Sequence, residues 1–139
     1  MNYWDISDIS VYNNVLHNLI NECDYVMFHF PILDEKKYKS NELSVDYENY
    51  IQKKQVFLKE LFEHGAIQKR SMFYQGIKLG YETQIIKVKL YPELVKKFQN
   101  NHFFDWLWWN ALPEDPCFFK GECCRFVTIS HEEIFYEIT

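Results

Sequence analysis

The chain has 139 residues, of which 47% are hydrophobic and 25% charged, with only 4 Gly and 4 Pro. That balance excludes a disordered or fibrous protein and predicts a single globular domain over residues 1–139. Its 15 Lys and Arg against 20 Asp and Glu leave a net charge of −5, which argues against a nucleic-acid binder steered by a basic surface.

No apolar run approaches the ~20 residues needed to cross a bilayer; the longest are Tyr25–Phe28 and Trp106–Trp109. Asp5 and Asp8 occupy the start of the chain, where a secretory signal would be basic. A soluble cytoplasmic protein without membrane contact is the expectation. Cys23, Cys117, Cys123 and Cys124 are lopsidedly placed. Adjacent residues on a strand point to opposite faces, so the pair at 123 and 124 does not suit a regular disulfide framework, and free, mostly buried thiols are expected.

Val11, Val15, Leu16, Leu19, Ile20 and Cys23 recur at helical spacing and predict a helix over 11–23, with Ser10 as its N-cap. The aromatic and branched run Asp24–Phe30 predicts a strand that Pro31 ends. Leu33–Glu42, rich in Lys and Asp/Glu, reads as a charged, mobile surface loop. A second helix begins after Ser44, its apolar stripe running through Tyr47, Tyr50, Ile51, Phe57, Leu58, Leu61 and Phe62, with the Lys54 stem along it and Gly65 at its stop.

From Ala66 to Leu90, Gly76 and Gly80 punctuate two or three antiparallel strands, among them Ile67–Tyr74 and Gln84–Leu90. Pro92 opens a short helix whose buried side is Leu94, Val95 and Phe98. The run Phe103–Trp109 reads as a strand apolar on both faces, and Leu112–Pro116 as a rigid bend with Glu114 and Asp115 at its tip. Cys117–Phe119 and Cys123–Ile129 fit a hairpin around Lys120-Gly121-Glu122, and Ile134–Ile138 supplies one more edge strand. The sum is an α+β fold, an antiparallel sheet of about five or six strands with two or three helices on one face.

Chemical signatures are sparse. Cys117, Cys123, Cys124 and His131 have zinc-ligand chemistry, but gaps of six and one do not match the two-to-four spacing of knuckle turns, so neither a metal nor another cofactor is expected. If the hairpin brings Ser130-His131-Glu132 beside Glu114 and Asp115, a carboxylate can orient the imidazole for acid–base work, or simply close the terminal strand. No nucleophile elbow, phosphate loop or paired His/Glu helix motif is present.

The segments Phe104–Trp109, Leu112–Phe119 and Ser130-His131-Glu132 together resemble small bacterial proteins, and with the size and acidity of the chain are similar to the immunity proteins of polymorphic and contact-dependent toxin systems. The resemblance covers about a quarter of the chain and implies a non-enzymatic inhibitor that occludes a basic toxin. On that basis Glu114, Asp115, Glu132 and Glu133 are the expected acidic contacts and Trp109 the aromatic anchor. The alternatives are a small enzyme or ligand-binding domain using His131 with Glu114 or Asp115, and a phage-encoded or structural interaction protein.

Overall fold

The computed structural model describes residues 2–32, 36 and 46–138. The expected loop Leu33–Glu42, save Lys36, and Ser44 fall outside the described residues. Seven strands form one antiparallel sheet: β1 (Asn2–Tyr3), β2 (Tyr25–Pro31), β3 (Ile67–Tyr74), β4 (Ile77–Lys89), β5 (Glu114–Lys120), β6 (Cys123–Ile129) and β7 (Ile134–Glu137). Their spatial order is β1-β7-β6-β5-β2-β4-β3. Among the described residues three helices, α1 (Ile9–Glu22), α2 (Tyr47–Glu63) and α3 (Pro92–Asn100), complete the α+β architecture.

The helices cover one face of the sheet. Val26, Phe28 and Phe30 of β2, alternating along the strand, share a buried cluster with Leu16 and Leu19 of α1, Phe57 and Leu61 of α2 and Leu94 and Phe98 of α3. Helix α1 begins earlier than its apolar period suggests, because the Asp8 carboxylate accepts the Ser10 and Val11 amides and the Ser10 hydroxyl; Asp8, not Ser10, is the N-cap. In α2 the Lys54 stem packs as its pattern predicts and sets its ammonium 5.0 Å from the centre of the Phe30 ring. Desolvation there lowers the Lys54 pKa.

Phe103–Trp109 is not a strand. It forms two 3-10 turns, Phe103–Asp105 and Trp108–Asn110. A strand would send half of these rings to each face, whereas a three-residue turn puts Phe103 and Trp106 on one side. Trp106 stacks on Phe98 at 4.0 Å and on Phe28 at 5.7 Å, and its indole N–H donates to the Asn101 carbonyl. The run therefore plugs the core between helices and sheet.

The opposite face is roofed by the sheet's own end. Gln75 and Gly76 both take positive φ, 51° and 75°, the backbone of a two-residue type I′ turn that joins β3 to β4. The register then slips: Ser71 faces Thr83 but Phe73 faces Lys78, so Met72 stands opposite the four residues from Leu79 to Glu82. In a flat sheet Tyr74 would lie two strand spacings, roughly 10 Å, from β2, and Gln75 about twice that from β6. Instead the Tyr74 hydroxyl reaches the Met27 and Asp115 carbonyls at 3.1 and 2.6 Å, and the Gln75 amide lies 3.7 Å from Cys124 Sγ. The hairpin tip folds back over a second cluster of Ile85, Cys117, Phe119 and Val127. What remains of β3 is exposed on both faces, with Ile67 68% and Phe73 54% accessible, and among the described residues β3 is an outer strand.

Candidate functional site

Glu114 and Asp115 are not the tip of an exposed bend; they open β5. Met27 pairs with Cys117 and His29 with Glu114, so two residues, Asp115 and Pro116, stand opposite Phe28 alone. This β-bulge is held with Asp115 at φ 54°, and it turns the two carboxylates in different directions. Glu114 is 1% exposed, which removes it from any contact surface. Its Oε2 accepts the Trp108 amide at 2.9 Å and its Oε1 lies 3.1 Å from His131 Nε2. Asp115 Oδ1 accepts the Ser130 amide at 2.8 Å, and the Ser130 hydroxyl donates to the Phe103 carbonyl at 3.0 Å.

The sequence-based juxtaposition of Ser130-His131-Glu132 with Glu114 and Asp115 is thus realised, with the carboxylates beneath the turn rather than outside it. They clamp the 3-10 turn Ser130–Glu132, and that turn presents Glu132 and Glu133 to solvent. The hydrogen bond to Glu114 raises the His131 pKa; burial opposes it in part, and the charges of Glu114 and Asp115 add to it. Trp109 is half-buried, its ring edge-on to His131 at 5.1 Å, so it braces the imidazole.

Behind this clamp lies a second histidine that sequence reading passed over. The Thr83 hydroxyl donates to the Phe30 carbonyl at 2.8 Å, so its oxygen receives the His29 Nδ1 proton across 2.7 Å. His29 Nε2 has no hydrogen-bond partner and stands 3.6 Å from Asp115 Oδ2, too far for a hydrogen bond. Half-buried Tyr81 completes the seam; burial first, then Glu114 and Asp115, push its hydroxyl up to about 12. Among the described residues no group of three or more His, Cys, Asp or Glu side chains is placed to hold a metal ion, and no helix is long and apolar enough to cross a membrane.

On the outer side of the clamped turn runs a groove of about 570 Å3. Its aromatic wall is Tyr3, Trp4 and Phe104, its acidic rim Asp5 and Glu133, and among the described residues no Lys or Arg lines it. The N-terminal strand builds it: the Trp4 amide donates to the Phe135 carbonyl at 3.0 Å. His102 accepts the Phe104 amide at Nδ1, which leaves Nε2–H to donate to the Ile6 carbonyl at 2.7 Å. Asp5 folds onto the Ser7 amide and hydroxyl, whose hydrogen bonds lower its pKa. Tyr3 and Trp4 stay 67% and 44% exposed. They are exposed rings that sequence reading passed over, and their signal was two aromatics ahead of a helix, followed by Asp5 and Asp8. The chain matches no known protein family, no curated protein and no solved structure.

Proposed function

We propose that this protein works by binding another protein, as an immunity-type inhibitor that sets an acidic, ring-lined face against a basic partner. The observation that carries the reading is the groove of Tyr3, Trp4 and Phe104 rimmed by Asp5 and Glu133, with Glu132 exposed beside it. Exposed aromatic rings supply the desolvated centre of an interface, and carboxylates at its rim attract and orient a cationic surface. Glu114 and Asp115 serve as positioning residues for that rim. The binding contacts then become Tyr3, Trp4, Asp5, Glu132 and Glu133.

The test is calorimetric titration against the product of a toxin gene adjacent to its own. Trp4→Ala is expected to weaken binding about 30-fold, the loss of a ~2 kcal/mol hot spot. Asp5→Lys with Glu133→Lys is expected to slow association and flatten its salt dependence. Affinity unchanged in both variants would refute the reading.

A second reading, a small enzyme or ligand-binding domain, is favoured by one distance: His131 Nε2 to Glu114 Oε1, 3.1 Å. A carboxylate on one ring nitrogen leaves the other of the half-exposed imidazole available to move a proton. Loss of a turnover in His131→Gln, with partner binding intact, would support this reading over the first.

A further inference from the structure

The roofed face of the sheet holds two thiols that the binding reading does not use. Cys117 on β5 is buried, and Cys124 on β6 is partly exposed. Both belong to the cluster beneath the β3–β4 hairpin. The register places Cys124 opposite Phe119 and Cys117 opposite Val127, with a bulge between, so the two side chains meet diagonally on one face. Each thiol perturbs the ionisation of the other. Cys123, the neighbouring residue, is exposed and points to the other face.

The surroundings of the two sulfurs differ in a way that divides the roles. Cys117 Sγ is 3.4 Å from the Asp115 carbonyl and 3.6 Å from the Tyr74 hydroxyl; burial keeps it a thiol, raised well above its ordinary pKa. Cys124 Sγ lies 3.7 Å from the Gln75 amide and within the field of Lys87, whose ammonium sits 4.4 Å from the Phe119 ring centre. The Cys117 hydrogen bond, opposed by burial and helped by Gln75, the Phe126 backbone and Lys87, brings Cys124 down to about 7. A lowered pKa raises the fraction of thiolate, the nucleophilic form.

We propose that Cys124 and Cys117 form a dithiol site oxidised by a hydroperoxide, with Cys124 as the attacking sulfur and Cys117 as the resolving one. Cys124 thiolate attacks one peroxide oxygen: an S–O bond forms, the O–O bond breaks, and the departing oxygen takes a proton to leave as water or alcohol. Sulfur is oxidised by two electrons and the peroxide reduced by two. The Cys117 thiol then attacks the sulfenic sulfur; an S–S bond forms, the S–O bond breaks, and hydroxide leaves with the Cys117 proton as water. The two strands already hold the side chains diagonally on one face, and the bond closes at about 2.05 Å. The disulfide also removes the thiolate that holds Gln75, so oxidation frees the hairpin tip from β6. This site is independent of the partner-binding reading.

The experiment treats the reduced full chain with stoichiometric hydrogen peroxide at pH 7, blocks remaining thiols and maps the peptides by mass. The expected product is a disulfide between 117 and 124, with Cys123 still alkylatable and Cys124 reacting about ten-fold faster than Cys123. Cys124→Ser is expected to abolish peroxide consumption, and Cys117→Ser to stop at a sulfenic acid on Cys124 that dimedone traps. Oxidation starting at Cys123, or Cys124 advancing to sulfinic acid in the wild-type chain without forming the disulfide, overturns the proposal. Because the wild-type result decides between these, a poorly folding Cys117 variant does not blunt the test.

Discussion

Replacing Glu114 by Gln keeps its shape and changes what its two oxygens can do. In the wild-type chain both accept, one from the Trp108 amide and one from His131. A glutamine oxygen can still take the Trp108 proton, but its NH2 then faces the imidazole, which must be neutral and offer a lone pair. The folded wild-type chain holds the His131 proton more tightly than an unfolded histidine does. The stabilisation this gives is complete below the unfolded value, ~6.5, and disappears as pH rises through the higher folded value. Glu114→Gln is therefore expected to be costly at pH 5.5 and nearly silent at pH 8.5.

The size of that effect lies between a surface ion pair, ~0.2–1 kcal/mol, and a buried charge-assisted hydrogen bond, ~1.5–3 kcal/mol. The carboxylate is buried but the imidazole is 46% exposed and screened by water, so about 1 kcal/mol is the expected cost at pH 5.5. That is a fall in Tm of roughly 3–5 °C for a domain of this length, against about 1 °C at pH 8.5. Thermal and urea unfolding of both proteins at the two pH values measure it. An equal loss at both, or a larger one at pH 8.5, would show that His131 draws nothing from Glu114's charge.

Trp106→Ala removes a fully buried ring stacked between Phe98 and Phe28 and is expected to cost about 3–5 kcal/mol, seen as a collapse of the urea midpoint. Tyr74→Phe deletes the hydroxyl that spans β2 and β5; a loss of about 1–2 kcal/mol, with amide exchange accelerated in residues 72–79 ahead of β5, is the expected result. His102→Ala releases the Ile6 carbonyl, and exchange should rise over residues 3–7.

Where a segment's neighbours in space are also its neighbours in sequence, its structure was legible. The strand at Ile67–Tyr74, the hairpin of β5 and β6 and the apolar stripes of α1 and α2 follow from local period alone, and the same hairpin brings His131 to Glu114. Distance along the chain hid the rest. Strand β1 has two residues and pairs Asn2 with Glu137, so no local pattern announces it, and the sheet gains a strand over the five or six expected. The Phe103–Trp109 run is apolar at every parity but for Asp105, which makes strand and turn indistinguishable until Trp106 meets Phe98. Glu114 looked solvated because two prolines bracket it; the left-handed φ of Asp115 instead makes the segment a bulge within β5, and Glu114 is buried there.

The outer strand β3 carries a consequence for handling the protein in solution. Its outer backbone edge, which pairs with no other strand among the described residues and carries exposed Ile67, Met72 and Phe73, is a template on which a second chain could add. Lys69 and Arg70 interrupt that row, but the Arg70 charge is already committed to Glu82, which leaves Lys69 as the principal repulsive guard within the strand. Electrolyte that screens this charge, or acetylation that removes it, lowers the barrier to edge-to-edge stacking, so colloidal behaviour should turn on ionic strength well before the fold itself responds.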